Sequence, residues 1–348
     1  MAGISQVIIV TKIDEFCPLV NKDLKNVYKS KKIKDKMKEC SDFLNTILLL
    51  KKFHIHQVKE TMSFIVNKWN KWWYGAEFFP NDWRAVNWDS KSKLEDSLRT
   101  FTPSNPDVKK LQILLYGPVG AGKSTFINSL LSVFQNRVVS KVKAAAASST
   151  SCTKTYKGFD IKCSPSGTLP LTIFDFMGLE ESTEKFHPDD LKNALRGHLP
   201  NGYEFTPDKP LSSNDNRYIK NPSEGEETHC LVCVVSANSV SLMTDAVIGR
   251  MKIALEEANK LGIPEAVILT MNDQACPAVK YDVKNIYRSK TIKAKMEECS
   301  NRLQVPMTCI FPVINYHEEI TTNNDTDVLL LLALKQIAHL ANDYVEIA

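Results

Sequence analysis

The sequence predicts an α/β fold, a doubly wound and mostly parallel sheet with a helical N-terminal extension. Two observations lead to this prediction. Short apolar segments that fit buried strands alternate with amphipathic segments that fit helices, which is the pattern of parallel sheets covered by helices. In addition, a glycine-rich loop lies between an apolar run and a helical pattern, at residues 117–124.

Apolar runs and helical spacing place the elements along the chain. We predict strands at 111–116, 169–176, 229–236, 265–270 and 307–313. We predict helices at 124–134, 189–198, 242–261 and from about 326 to 344. A lysine-rich stretch at 279–303 is also predicted to be helical, and its cations fit either a solvated face or an anionic partner. Two loops, 143–155 and 200–227, lack a clear period.

The composition excludes some classes of function. The chain has 348 residues, and its 44 Lys and Arg against 40 Asp and Glu give a net charge of +4. This small excess does not require nucleic acid or an acidic membrane, so we expect no nucleic-acid partner. No apolar run approaches the roughly 20 residues that span a bilayer, so we expect no transmembrane segment.

The nine cysteines are scattered rather than concentrated in a small disulfide framework. Reduced thiols and a cytoplasmic location are the expectation. Cys230 and Cys233 have a spacing that invites a metal or redox hypothesis, but they lie in an apolar run (CLVCVV). A strand there would point the two side chains to opposite faces, so we predict core positions for both.

An internal repeat and the distribution of tryptophans divide the chain. Residues 8–44 align without gaps on 267–303, with 20 of 37 positions identical. We therefore predict that 1–44 is a truncated first copy of that segment, with either a docking role or no function of its own. Residues 45–107 form an aromatic-rich helical linker with all five tryptophans, which fit packing on the main domain or a partner site. The main domain is predicted at 108–348.

The glycine-rich loop fits the pattern G-x-x-x-x-G-K-[ST], in which backbone N–H groups turn inward around a phosphate. The positive end of the following helix favours the same anion. Lys123 would reach the β and γ phosphates, and the Ser124 hydroxyl would bind Mg²⁺. The predicted phosphate-binding residues are Gly117, Pro118, Val119, Gly120, Ala121, Gly122, Lys123, Ser124 and Thr125.

A second motif follows about 50 residues later. Asp175 and Gly178 match a D-x-x-G element at a strand end; the Asp would hold Mg²⁺ through water and the Gly amide would touch the γ phosphate. Between the motifs, Thr153 or its neighbour Thr150 could supply a hydroxyl that binds Mg²⁺ in the triphosphate state, and we prefer Thr153. The ordered motifs indicate a sheet of the P-loop GTPase type.

Base recognition is predicted at residues 270–273, where the GTPase pattern is [NT]-K-x-D. Thr270 and Asp273 are present, and the Asp carboxylate would accept two hydrogen bonds from guanine. Met271 replaces the lysine that helps to brace the phosphate loop, although its flexible stem can still lie along the base. We expect guanine preference with weakened affinity. The front repeat keeps an intact T-K-I-D at 11–14.

Several runs resemble the interferon-induced protein 44-like family, particularly its fish members. They are LLYGPVGAGKSTFIN at 114–128, VCVVSANSVSLM at 232–243, CIFPVINYH at 309–317, and the T-K-I-D-E-x-C-P form of the front repeat. The similarity covers about 83–345, and Trp83, Arg84 and Trp88 resemble the linker that precedes the phosphate loop in this family.

This resemblance implies a Ras-like GTP-binding fold, GTP or GDP and Mg²⁺ as cofactors, a cytoplasmic location and a role in innate antiviral defence induced by interferon. It also implies that Asn315 lies in the loop at the base edge, as in dynamin-like proteins. Met271 and Asn272 depart from the Lys and Ile common in the family, and weaker nucleotide binding is the expected consequence.

Catalysis is left open by the sequence. Efficient hydrolysis of the Ras type needs a polar residue, usually glutamine, just after D-x-x-G, but this chain has Leu179. We expect a guanine-nucleotide-binding protein with weak or no intrinsic hydrolysis, with a protein partner or a homo-oligomer. The alternatives are a GTPase stimulated by assembly and a nucleotide-independent interaction scaffold.

Overall fold

The computed structural model describes residues 78–142, 155–180 and 187–347. By its internal contacts the chain divides after Gly75, and Ala76–Ala348 forms one compact unit. The front repeat at 8–44, the tryptophans Trp69, Trp72 and Trp73, and both candidate switch threonines lie outside the described residues.

Six strands form one mixed, mostly parallel sheet. In chain order the strands are β1 (Leu111–Tyr116), β2 (Lys157–Lys162), β3 (Thr168–Asp175), β4 (Cys230–Ser236), β5 (Glu265–Thr270) and β6 (Ile310–Pro312). Their spatial order is β2-β3-β1-β4-β5-β6, and only β2 runs antiparallel to its neighbour. The α/β class and the doubly wound, mostly parallel sheet are therefore confirmed.

The centre of the sheet is apolar on both faces. Every residue of β4 is buried, including Cys230 and Cys233, which confirms their predicted core positions. β1 places Leu111, Ile113 and Leu115 in the main apolar cluster, while Leu114 and Tyr116 are buried on the other face. Continuous burial of this kind is expected for parallel strands covered by helices on both sides.

Helices cover both faces of the sheet. One layer contains α1 (Lys91–Arg99), α2 (Lys123–Gln135) and the long C-terminal helix α8 (Asn324–Ile347). The other contains α3 (Pro188–Leu195), α4 (Asp245–Lys260) and α7 (Lys290–Leu303). The carboxyl ends of the parallel strands remain open, and loops from several strands meet there.

The lysine-rich stretch 279–303 is not one helix, so this prediction was wrong. Short helices α5 (Asn272–Ala275) and α6 (Pro277–Tyr281) and a 3₁₀ turn, Val283–Tyr287, precede α7. Pro277 begins α6, Asp282 caps the 3₁₀ turn by accepting from the Lys284 N–H, and Ser289 caps α7 by accepting from the Ile292 N–H. Each cap starts a new element, because it satisfies N–H groups that lack intrahelical partners.

Strand β2 was absent from the sequence prediction. It is a half-exposed edge strand in which only Ile161 is fully buried, so it lacks the continuous apolar run that marks the central strands. The predicted strand 307–313 is shorter than expected, because Met307–Cys309 forms a 3₁₀ turn before β6.

Helix α8 has the length and composition of a membrane-crossing helix, the one such element within the described residues. More than half of its most apolar stretch is buried inside the protein, against α1, α2 and the sheet. Buried residues such as Leu330, Leu334 and Ala341 belong to the main apolar cluster. Its apolar composition is thus explained by its position in the core.

The segment before β1 packs on the domain. Trp83 makes an edge-on contact with Tyr287, with ring centroids 5.3 Å apart, and Trp88 packs against the main apolar cluster. For these two tryptophans the predicted packing on the main domain is confirmed.

His229 holds the start of β4 through two hydrogen bonds of its ring, and these bonds require a neutral imidazole. Its Nδ1 accepts from the Gln112 backbone N–H at 3.0 Å, and its Nε2 donates to the Glu224 carbonyl at 2.7 Å. Only the neutral ring can accept at one nitrogen and donate at the other. Burial lowers the pKa of His229 below its ordinary value of 6.5.

We expect this histidine to make the fold sensitive to acid. The unfolded chain takes up a proton near pH 6.5 and the folded chain does not, so the stabilising contribution is complete above that pH and is lost as the pH falls below it. The variant His229→Gln keeps a donor and an acceptor but does not titrate. The melting temperature of the variant should fall less between about pH 7.5 and about pH 5 than that of the wild type; equal falls would contradict the assignment.

Candidate functional site

The glycine-rich loop runs from the end of β1 to the start of α2 and lies directly against the neighbouring strand. Gly117 has φ +149°, and a Cβ at this position would lie 2.2 Å from the carbonyl oxygen of Val234 in β4. Only glycine permits so close an approach in this backbone conformation. The first glycine of the motif therefore fixes the loop at the carboxyl end of the sheet.

Lys123 is buried at the start of α2, and its ammonium group holds the loop closed. Nζ donates to the carbonyls of Gly117 and Pro118, at 2.8 and 3.0 Å. Burial lowers the pKa of Lys123 from 10.5 to about 8, and the nearby Asp175 carboxylate offsets part of this effect. An ammonium group has three donors, and these two bonds leave one more available for a ligand.

Ser124 and Asp175 meet as the sequence predicts for a Mg²⁺ site. The Ser124 hydroxyl donates to Oδ2 of Asp175 at 2.7 Å, which joins the start of α2 to the end of β3. A hydroxyl and a carboxylate are oxygen ligands of the type that Mg²⁺ prefers, and Mg²⁺ commonly takes its other ligands from phosphates and water. This donor set fits the ion beside a bound phosphate.

The described residues contain no group of three or more His, Cys, Asp or Glu side chains that could hold a metal by themselves. A Mg²⁺ site of the kind just described does not need such a group, because phosphate and water complete it. Thr153, the third predicted Mg²⁺ ligand, lies outside the described residues.

Two side chains join the predicted base-recognition segments to the glycine-rich loop. The Thr270 hydroxyl, at the end of β5, donates to the Ala121 carbonyl at 2.6 Å. The Asn315 amide lies 3.4 Å from the Gly122 carbonyl, and its Oδ1 is buried without a hydrogen-bond partner among the described residues. The structure thus brings the loop, Thr270 and Asn315 together.

Met271 and Asn272 have structural contacts that the motif did not predict. Met271 adopts φ +54°, and its sulfur accepts from the Ser236 hydroxyl at 3.2 Å. Asn272 is fully buried, and its amide donates to the carbonyls of Leu269 and Val313, at 2.7 and 2.8 Å. Asn272 therefore ties the end of β5 to the segment that follows β6. Asp273 follows on α5, half-buried.

The D-x-x-G segment lies against the glycine-rich loop. The Leu179 N–H donates to the Gly117 carbonyl at 3.1 Å, and the Val119 N–H donates to the Leu179 carbonyl at 2.9 Å. A Cβ at Gly178 would lie 2.7 Å from Cγ2 of Val119, so this position also requires glycine. The Leu179 side chain is buried, and it offers no polar group to a water molecule.

Other parts of the site were not found by sequence reasoning. The Tyr316 N–H donates to the Ser129 hydroxyl of α2 at 2.9 Å, next to Asn315. Arg250 of α4 donates to the Glu180 carbonyl at 2.6 Å and holds the chain just after Leu179. Neither pair forms a local motif, since its partners are far apart in the chain. His187, which could have been proposed as a base, instead caps α3 by accepting from the Asp189 N–H.

Three curated relatives match about three quarters of the chain. Interferon-induced protein 44 from Mus musculus is 32% identical over 256 residues, which cover 73% of this chain and 60% of the relative. The Homo sapiens protein of the same name is 31% identical over 257 residues, covering 74% and 58%. Interferon-induced protein 44-like from Homo sapiens is 29% identical over 260 residues, covering 74% and 57%.

Over about three quarters of its length the chain is similar to interferon-induced protein 44. It spans less than two thirds of the length of these relatives of the interferon-induced protein 44 family. No protein-family model matches the chain.

Two of the solved structures that resemble the chain have titles that name GTP binding or bound GDP. A probable GTP-binding protein engB matches with 13% identity and a TM-score of 0.36, covering 67% of this chain and 98% of its own. Toc33 from Arabidopsis thaliana, in complex with GDP and Mg²⁺, matches with 14% identity and a TM-score of 0.41, covering 72% and 88%. Likeness at this level carries no argument about function. The sheet order and the seated loop themselves fit the P-loop GTPase type.

The Thr270 hydrogen bond should contribute measurably to stability. In Thr270→Val the shape is kept, but the buried Ala121 carbonyl loses its donor. We expect this variant, which keeps the buried methyl group, to be about 1–2 kcal/mol less stable than the wild type. Unfolding in denaturant measures the difference, and equal stability of the variant and the wild type would show that this bond does not hold the loop.

Proposed function

We propose that this protein binds guanine nucleotides at the glycine-rich loop, together with Mg²⁺ at Ser124 and Asp175. The observation that carries the proposal is the buried ammonium group of Lys123. It is held by two loop carbonyls at the start of a helix, where burial removes it from water. A phosphate group would supply the missing negative charge.

The choice of guanine rests on Asp273, with Thr270 and Asn315 in support. Asp273 follows Thr270 by three residues, and Thr270 is hydrogen-bonded to the loop itself. A carboxylate can accept two N–H donors from guanine in a charge-assisted pair. Asn315 adds a buried acceptor, Oδ1, beside the loop. Adenine does not present the same pair of donors.

Met271 should weaken this site without abolishing it. A lysine at this position would add a cation near the loop, whereas methionine adds a neutral thioether that accepts from Ser236. The apolar stem can still cover one face of the base. We therefore propose guanine binding with reduced affinity.

Hydrolysis is proposed to be slow or absent. The position that commonly orients the attacking water is Leu179, whose side chain is buried and whose backbone pairs with the loop. Missing catalytic groups can be worth about 10³–10⁵ in rate. Mg²⁺, when bound, would still offset phosphate charge, which supports binding.

The biological setting is proposed from the relatives. Their names describe induction by interferon, and we propose the same induction and an innate antiviral role for this protein. A cytoplasmic location is also proposed, and the six described cysteines, all of which are free thiols, support it. A protein partner or self-association is part of the same proposal.

Nucleotide titration of the full chain tests the proposal. Wild type should bind a fluorescent GDP saturably with Mg²⁺ present, whereas Lys123→Ala should lose most of this binding because the charge at the phosphates is removed. Met271→Lys should bind more tightly, since it restores the cation of the motif. Fluorescent ADP is the control for base preference, and phosphate release from GTP reports hydrolysis.

Wild-type binding that is unsaturable near cellular GTP concentrations, or that is equally strong in Lys123→Ala, would overturn the proposal. The former result would favour a nucleotide-independent scaffold, and the latter would place the nucleotide away from Lys123. Fast release of phosphate from GTP by a dilute sample would contradict slow hydrolysis.

Binding should also take up protons at alkaline pH. The free protein holds Lys123 with a pKa of about 8, and bound phosphate must raise that pKa. At pH 8 we expect uptake of about half a proton per nucleotide at this lysine, and almost none at about pH 6.5. Because the bound state holds the proton more tightly, nucleotide affinity should weaken as the pH rises through 8.

Calorimetry in two buffers of different ionisation enthalpy measures this uptake. Lys123→Arg is the control, because its guanidinium stays charged throughout. Uptake that is the same in both proteins would assign the proton to another group.

A further inference from the structure

The loop that carries Asn315 follows a short edge strand. We define the base loop as Val313, Ile314, Asn315 and Tyr316, the four residues after β6. β6 has three residues and lies at the sheet edge, where it pairs only with β5. The Val313 N–H still donates to the Leu269 carbonyl of β5 at 2.8 Å, and beyond it the base loop depends on contacts from outside the sheet.

Arg84 holds the chain just before the base loop. Nη1 donates to the Ile310 carbonyl of β6 at 2.9 Å, and Nη2 donates to the Met307 carbonyl at 2.8 Å. The guanidinium lies over two aromatic rings that contact each other edge-on, 5.2 Å from the Trp83 centroid and 5.4 Å from the Tyr287 centroid. The planar fork of arginine can bind two carbonyls at once, which lysine cannot do in the same geometry.

Lys91 holds the other end of the base loop through a buried carboxylate. Its Nζ lies 2.7 Å from Oδ2 of Asp327, which is fully buried at the start of α8. Oδ1 of Asp327 accepts from the Tyr316 hydroxyl at 2.7 Å. A buried carboxylate needs such a cation, because an unpaired charge is costly in the interior. The Tyr316 hydroxyl is therefore held by Asp327, whose charge is paired with Lys91 of α1.

A third contact lies nearby, where the Asn324 amide donates to the Trp88 carbonyl at 3.0 Å. Together, Arg84, Trp88 and Lys91 contact residues between Met307 and Asp327. Within the described part of the chain, the hydrogen bonds and ion pairs just described for these three residues do not reach the glycine-rich loop.

We propose that Arg84 and Lys91 are positioning residues for base recognition, which hold the base loop so that Asn315 stays beside Gly122. This inference rests on the proposed function. It assigns the segment before β1 a role at the guanine end of the site, with the phosphate end left to the glycine-rich loop. The bound ligand class is a nucleotide whose base contributes to its affinity.

Replacement of Arg84 should affect contacts to the base and contacts to the phosphates differently. Loss of Arg84 frees the start of β6 and lets the base loop move away from the glycine-rich loop, so contacts to the base weaken. Lys123, Ser124 and Asp175 keep their own hydrogen bonds, so contacts to the phosphates remain. A general loss of stability would instead reduce the fraction of active protein without changing the ratio between ligands.

The test compares Arg84→Met with Arg99→Met in the full chain. Arg99 belongs to the same N-terminal segment and also covers a ring, since its guanidinium lies 5.4 Å from the Phe134 centroid, but it has no contact with the base loop in the described structure. Fluorescent GDP with Mg²⁺ reports the whole site. Inorganic pyrophosphate, used as a competitor, reports the phosphate end alone.

We expect Arg84→Met to bind GDP about tenfold more weakly and pyrophosphate about as well as the wild type. Arg99→Met should match the wild type for both ligands. Arg84→Lys keeps the charge without the fork and should show an intermediate loss of GDP affinity; this variant decides the question if Arg84→Met does not fold.

Unchanged GDP affinity, or equal weakening of GDP and pyrophosphate, in the Arg84 variants would overturn the inference. If the wild type binds GDP and the Arg84 variants bind it with the same affinity, the proposed function stands and the positioning role falls. If the wild type itself binds no GDP, both fall together.

Discussion

The rest of the structure depends on the close seating of the glycine-rich loop against the carboxyl ends of β4 and β5. Gly117 passes so near the Val234 carbonyl that no side chain fits, and the Thr270 hydroxyl fixes the far side of the loop at Ala121. Lys123 then closes the loop from within. Because strands, helix and loop constrain one another, the groups that would contact a phosphate are held in place by the fold itself, and little reorganisation is required of them.

The same seating fixes the D-x-x-G segment, on which the proposal of slow hydrolysis depends. The D-x-x-G segment is fastened to the loop by two backbone hydrogen bonds at Leu179, and Arg250 holds the next residue. These contacts place an apolar side chain where a water-orienting group would be needed.

Local sequence patterns predicted the central elements well. β1 and β5 were predicted to the residue, because their apolar runs are continuous and end at the motif residues Gly117 and Thr270. The edge strand β2 was missed because its exposed residues leave no apolar run to recognise. The breaks within 279–303 were missed because the helical spacing of the residues continues across the caps that end one element and begin the next. The support of the base loop could not be predicted at all. Arg84 and Ile310 lie 226 residues apart, so their hydrogen bond exists only once the sheet has brought them together.

The most direct test of the central claim is a crystal structure of the full chain with GDP and Mg²⁺. We expect phosphates at the amides of residues 120–123 and at Lys123, Mg²⁺ beside Ser124 and Asp175, and the base in contact with Asp273 and Asn315. The Thr270 bond to Ala121 should be unchanged. A nucleotide bound elsewhere, or a base that does not touch Asp273, would contradict this claim.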